Sequence, residues 1–160
     1  MAIEQRITPF LWFEDKVEEA VAFYVSLFKE SRIVTRSRYG GDAPKPKGET
    51  MAIAFRLEGQ DFVAVNGGPQ FKFSEAVSFY VNCETQDEID RLWKALGKGG
   101  EEMPCGWVKD RYGLTWQVNY AGLQDMVADA HEDRAGRVMK VLMKMKKIDI
   151  QALKDAYEAR

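Results

Sequence analysis

The sequence predicts an α+β protein made of two like units followed by a helical tail. Three observations predict it. The order strand, helix, strands occurs twice, about 70 residues apart, although the two copies share few letters. In both copies an apolar stripe of helical period lies between strand-like runs. From about Gly122 onward the pattern is helical alone. Each unit would expose one apolar sheet face, so pairing the units would bury both faces and leave a concave space between them.

Residues 6–13 (RITPFLWF) read as a short strand, with Pro9 marking a bulge or an edge because it cannot donate to a ladder. Asp15 can cap the helix that follows, and Glu18 stands three residues on. Val17, Ala20, Val21, Tyr24 and Phe28 form the stripe laid against a sheet. Residues 31–39 read as a strand. The polar loop 40–48 (GGDAPKPKG) is either a plain connection or a lid. Residues 50–57 and 62–65 read as a hairpin across Glu58-Gly59-Gln60-Asp61. Asn66-Gly67-Gly68-Pro69 breaks the pattern, and Gln70-Phe71-Lys72-Phe73 carries no regular signal.

The order then restarts. Residues 77–83 read as a strand, and Thr85-Gln86-Asp87-Glu88 has the capping-box pattern. Ile89, Leu92, Trp93 and Leu96 give the next helix its stripe, and Gly97, Gly99 and Gly100 end it. Residues 105–120 (CGWVKDRYGLTWQVNY) read as two strands joined by a turn at Asp110-Arg111-Tyr112-Gly113, with Asp favouring the first turn position and Gly the last. In the tail, 123–127 and 134–147 read as helices. Val138, Val141, Leu142 and Met145 form one stripe that Met139 and Met143 widen. Asp149 starts a last short helix carrying Ile150, Leu153 and Tyr157. The Met-rich helix packs on its own domain or against a second subunit, because Met adapts to irregular surfaces. The predicted domain spans 1–122, with module one about 1–68 and module two about 74–121, and 123–160 extends it.

Composition narrows the functions. The 160 residues are 46% apolar and 30% charged with a net charge of −2, which gives no electrostatic reason to bind nucleic acid or an anionic membrane. No apolar run approaches the about 20 residues needed to span a bilayer, and the first residues lack the layout of a signal peptide. The two cysteines, Cys83 and Cys105, are expected to be reduced, in the cytoplasm.

The segments PFLWFEDKVEEAVAFYVSLFKESRI, NGGPQFKF, ETQDEID, CGWVKDRYGLTWQ and MKKIDIQAL resemble the PhnB-like branch of the vicinal-oxygen-chelate superfamily, often labelled 3-demethylubiquinone-9 3-methyltransferase-like. That superfamily includes glyoxalase I, bleomycin-resistance proteins and extradiol dioxygenases. The resemblance implies paired βαβββ modules forming an open sheet cupped around a site, and commonly a homodimer. Its metal-using members hold a divalent ion with His, Gln or Glu side chains, one from each of four strands. At the matching positions Thr8 stands first, residues 62–66 and 76–81 offer no acidic side chain or imidazole, and Gln117 is a neutral amide. No metal and no other cofactor is therefore expected. The single histidine, His131, falls in the tail and is expected at the solvated surface.

Other chemistries turn on particular residues. Cys105 is the candidate nucleophile, with Lys109 and Arg111 near in sequence and no histidine beside it as base. Methyl transfer would need a cofactor turn, and Asn66-Gly67-Gly68-Pro69 runs into a proline rather than a helix start. A binding site is drawn from Trp12, Phe71, Phe73, Tyr80, Trp107 and Trp116, with Asn66 and Gln117 as neutral hydrogen-bonding groups. Such a wall suits a small, partly aromatic or apolar molecule. Strand alternation sends Trp116 opposite to Gln117, so the set cannot share one wall. The reading is small-molecule binding or metal-free transformation of such a ligand; the alternative is a metal-dependent lyase or oxygenase with ligands of another kind.

Overall fold

The computed structural model describes residues 5–159. The described chain divides into two compact units, the first ending at Lys72 and the second beginning at Phe73.

The first unit holds β1 (Phe10–Phe13), α1 (Val17–Leu27), β2 (Ser31–Arg38), β3 (Thr50–Leu57) and β4 (Gln60–Asn66). Its sheet runs β1-β4-β3-β2, with β1 parallel to β4 and the other pairs antiparallel. Strand alternation sorts the side chains. Leu11 and Phe13 of β1, Ile53, Phe55 and Leu57 of β3, and Phe62 and Ala64 of β4 are buried on one face. Val17, Ala20, Val21, Tyr24 and Leu27 of α1 supply the matching stripe. The other face carries Phe10, Trp12, Ala52, Ala54, Val63 and Val65, half-buried apart from the exposed Phe10.

Three expectations are refined here. The first strand starts only at Phe10, after Pro9, and lies at the sheet edge. Asp15 does not cap α1. Lys16 occupies the cap position in the left-handed region (φ 60°), and the Val17 N–H donates instead to Asn66 Oδ1 at 2.9 Å. The β3–β4 hairpin is tighter than the four-residue turn read from sequence. Glu58 (φ 45°) and Gly59 (φ 82°) turn the chain alone, and two positive φ values in succession match the twist of the flanking strands. Arg56 then meets Asp61 across the hairpin through two hydrogen bonds of 2.6 and 2.9 Å.

The second unit holds β5 (Phe79–Cys83), α2 (Gln86–Gly97), β6 (Glu101–Glu102), β7 (Trp107–Lys109) and β8 (Thr115–Tyr120), followed by α3 (Leu123–Val127), α4 (Glu132–Leu142) and α5 (Ile150–Glu158). Its sheet repeats the first in order, β5-β8-β7-β6, with β5 parallel to β8. The α+β class, the doubled strand–helix–strands order and the helical tail all match the sequence reading. The Thr85 hydroxyl accepts from the Glu88 N–H at 3.2 Å, a cap that contributes about 1 kcal/mol. Glu88 reaches back to the Glu84 N–H, one residue ahead of the cap itself. Ile89, Leu92, Trp93 and Leu96 are buried as their spacing predicts.

The tail packs on its own unit. Val138, Leu142, Ile148, Ile150 and Leu153 are buried, whereas Met139 and Met143 are exposed and do not widen the packed stripe. Helix α4 ends at Leu142 rather than running on to Lys147. Beyond it the chain becomes a strap whose carbonyls at Met145 and Lys146 accept from the Cys105 and Gly106 N–H groups at 2.9 and 2.7 Å. Gln86 holds the strap's far end, donating to the Ile148 carbonyl and accepting from the Ile150 N–H, both at 2.9 Å. Asp149 caps α5 through the Ala152 N–H at 3.0 Å, as expected. Among the described residues no helix is long and apolar enough to cross a membrane.

The β7–β8 turn is tied by a buried carboxylate. Asp110 is only 2% exposed. Its Oδ1 accepts from the Tyr112 and Leu114 N–H groups at 2.8 and 3.1 Å, and its Oδ2 accepts from the Trp116 indole N–H at 2.9 Å. Asp110→Asn keeps an oxygen for the two backbone donors but turns an NH2 group toward the indole N–H. We expect it to lower unfolding free energy by about 2 kcal/mol, and Asp110→Ala by about 3 kcal/mol or more. Urea titration of the purified variants measures both, and an Asp110→Asn protein as stable as the parent would show that the indole bond contributes nothing.

Candidate functional site

Each sheet has one face that its helix covers and one that it does not, and the candidate residues divide between them. In the first unit, β1 places Trp12 on the face away from α1. Its indole N–H donates to the Gly68 carbonyl at 2.9 Å, and Phe71 meets it edge-on at 5.0 Å between ring centroids. Gly67 lies directly under the indole: a Cβ there would fall 2.0 Å from the ring, so only glycine admits this packing. Trp12 and Phe71 are therefore brought together. Asn66 is not with them. It pairs with Phe13 and stands on the α1 side, where Oδ1 accepts from Val17 and Nδ2 donates to the Thr50 carbonyl at 3.1 Å.

In the second unit, the register aligns Tyr80, Gln117 and Trp107 in one row across β5, β8 and β7. All three are half-buried and lie on the face away from α2. The Gln117 amide donates to Ser78 Oγ at 3.0 Å. Burial pushes the Tyr80 phenol above its ordinary range, against a smaller opposing effect of a hydrogen bond with Gln124. Trp116 is on the opposite side, 3% exposed, with its ring 5.5 Å from Phe79 and its N–H held by Asp110. Phe73, half-buried, lies beside the 110–113 turn, with one ring carbon 4.0 Å from where a Gly113 Cβ would be.

Sequence reasoning passed over the neighbours of that row. Thr115 and Asn119 fall on the same side of β8 as Gln117, a placement that period-two alternation alone would have indicated. Lys109 joins them, pairing in register with Thr115. Its ammonium is held by the Glu75 carboxylate, with Glu101 at 3.9 Å. The hydrogen bond between them holds the Glu75 carboxyl below the usual range, helped by a bond from its own backbone N–H, and holds Lys109 above its own range against the opposing effect of burial. No local sequence signal joins residues 75, 101 and 109, because the sheet brings them together.

Cys105 sits at the entry to β7 with φ 60°, half-buried against the end of α4. Its Sγ is 3.6 Å from the Leu142 carbonyl and 4.0 Å from Met143 Sδ. Lys109, which could have activated the thiol, is engaged by carboxylates instead. His131 is exposed, as expected, and hydrogen bonds to Asp129 at 2.9 Å. Among the described residues no three His, Cys, Asp or Glu side chains are grouped so as to hold a metal ion. The face of sheet one away from α1 offers rings and methyls, and that of sheet two offers amides, hydroxyls and an ammonium engaged by the Glu75 and Glu101 carboxylates. Two carboxylates turned to Lys109, with no imidazole beside them, do not make the ligand set that metal-using members of the superfamily present to a divalent ion. A groove of about 430 Å³ opens elsewhere in the second unit, lined by Thr85, Gln86, Asp90, Lys147, Asp149 and Lys154 among others. Its polar groups largely bond one another, including Lys147 with Asp90 at 2.7 Å.

The model of the 3-demethylubiquinone-9 3-methyltransferase family matches residues 5–119. The chain belongs to this family. It is 40% identical to the PhnB protein from Bacillus cereus over 71% of this chain and 97% of that one, with a TM-score of 0.66. Protein PA1353 from Pseudomonas aeruginosa is 22% identical over 71% of this chain and 95% of its own, with a TM-score of 0.58. The fosfomycin resistance protein FosX from Mesorhizobium loti is 15% identical over 80% and 100%, with a TM-score of 0.54. The last two share the fold. No curated protein matches the chain. The family's matched span stops at the end of β8, so the α3–α5 tail lies beyond it.

One titration follows from the site's surroundings. Cys83 ends β5, fully buried, and burial followed by repulsion from Glu88 pushes its thiol up to about 12. An unfolded thiol titrates near 8.5, so the contribution is intact below that pH and is lost as pH rises toward the folded value. We expect stability to fall across this alkaline window, with a shallower slope for Cys83→Ala. At pH 8, iodoacetamide should label Cys83 only after denaturation, as mass spectrometry of the peptide will read.

Proposed function

We propose that this protein binds a small, partly aromatic molecule, or transforms it without a metal, at the face of the second unit that carries Tyr80, Gln117 and Trp107. The observation that supports this reading is the registered row itself. A ring surface, a phenol and a neutral amide stand side by side across three strands, half-buried and turned away from the helix. Small-molecule sites combine an apolar wall with a few placed polar groups in this way.

The family's printed description names a methyltransferase. Here the glycine segment is occupied by the protein itself, with Gly67 under the Trp12 ring and the Gly68 carbonyl accepting from the Trp12 indole N–H. We therefore place binding ahead of methyl transfer. Cys105 is assigned to holding the tail, through Leu142 and the strap at Met145. The protein is placed in the cytoplasm with both thiols free. It is proposed to act as a homodimer, supported by the exposed Met139 on α4 and Met143 immediately beyond its last residue.

A thermal-shift screen of neutral aromatic metabolites tests the binding role. At least one is expected to raise Tm, and Trp107→Ala should weaken it tenfold or more while the unliganded Tm moves little. Ligands insensitive to Trp107→Ala, or micromolar binding of S-adenosylmethionine by calorimetry, would redirect the assignment. Light scattering should give twice the 18.3 kDa chain mass, returning to a single chain mass in the Met139→Glu, Met143→Glu double variant.

A further inference from the structure

One place in the second unit gathers sulfur. Cys105 Sγ and Met143 Sδ lie 4.0 Å apart, although 38 positions separate them along the chain. The strap fixes this meeting, because the Cys105 and Gly106 N–H groups donate to the Met145 and Lys146 carbonyls at 2.9 and 2.7 Å. Met139 stands four residues before Met143, and its carbonyl accepts from the Met143 N–H at 3.0 Å. Residues so spaced share one face, with about 5–6 Å between Cβ atoms, and a flexible thioether covers that span. Met139 is 41% exposed and Met143 65%, so an ion arriving from solvent meets both. Cys105 is half-buried and its thiol is not in a disulfide.

The donor set is chemically selective. Thiolate and thioether sulfurs are soft ligands, which favour monovalent copper over cations that prefer oxygen. Two bonds of about 2.3 Å, an ordinary thiolate–metal length, subtend about 120° across the observed 4.0 Å. That is the opening of a three-coordinate site, with Met139 as the third donor. The Leu142 carbonyl lies 3.6 Å from Sγ at the C-terminal end of α4, and the negative end of a helix favours a cation.

We infer that Cys105, Met143 and Met139 bind one Cu(I) ion, the thiol giving up its proton to solvent as the S–Cu bond forms. The site goes beyond the binding role proposed above and does not depend on it. No imidazole or carboxylate takes part, so zinc finds only one of its preferred ligands here. The ion ties the corner before β7 to the end of α4, and so holds the tail in place.

Cu(I) supplied without oxygen as its coloured bicinchoninate complex is the probe. The full chain is expected to withdraw one ion, read as loss of that colour, and excess Zn(II) should not displace it. In spectra of the protein labelled at its methionine methyls, the Met139 and Met143 signals should move on titration while Met51, in the first unit, stays. The same spectra show that each variant is folded. Cys105→Ser should lose the ion, whereas Cys83→Ala should bind as the parent does, because that thiol is fully buried. Met143→Leu should weaken binding tenfold or more. Leucine keeps the apolar surface proposed above to pair two copies, so this change reads the sulfur alone. Retention of copper by Cys105→Ser, or affinity equal to the parent's in Met143→Leu, would overturn the site, as would a parent chain that withdraws no copper.

Discussion

The second unit depends on one buried carboxylate. Asp110 accepts two backbone N–H groups of its own turn and the indole N–H of Trp116, and it does so almost out of contact with water. A carboxyl group is tolerated there because both of its oxygens accept hydrogen bonds. Those three bonds fix where β8 begins relative to β7. Because side chains alternate at every residue, a slip by one would exchange Gln117 with Trp116 and send the polar row into the core. The candidate surface is thus set by a residue that takes no part in it.

The two neutral amides singled out in the sequence show how position decides what a side chain does. Asn66 ends β4 on the helix side, where α1 begins without a capping side chain of its own. Its amide completes that helix end and the Thr50 carbonyl. Gln117 sits in the middle of β8 on the uncovered side and makes a bond to Ser78. Similar chemistry closes a structural gap in one unit and faces outward in the other. The aromatics divide likewise, with Trp107 in the row and Trp116 beneath the sheet.

The tail illustrates competition between local preference and tertiary bonding. The run from Met143 to Lys147 has a composition that suits a helix. The chain leaves the helix at Leu142 nonetheless, because carbonyls at Met145 and Lys146 are taken by two N–H donors of the Cys105–Gly106 corner. Gly106 allows the close approach: a Cβ there would meet the Val118 carbonyl at 2.8 Å and the Ile148 side chain at 3.0 Å. Burial of Ile148 and Leu153 then contributes about 2 kcal/mol each toward keeping the strap in place.

The sequence by itself determined the elements and their order, since period-two and period-3.6 patterns, the Thr85 and Asp149 caps and the turn at Asp110-Gly113 are local in origin. It also determined that Trp116 and Gln117 point opposite ways, because pleating leaves no choice. Tertiary structure alone decided which of the two faces a helix would cover, hence that Asn66 would be consumed as a cap while Gln117 would not. It decided, too, that Lys109 would be neutralised by Glu75 and Glu101, and that α4 would stop at Leu142. Each of those outcomes is a bond between residues distant along the chain, and local patterning carries no information about such partners until the sheet has brought them together.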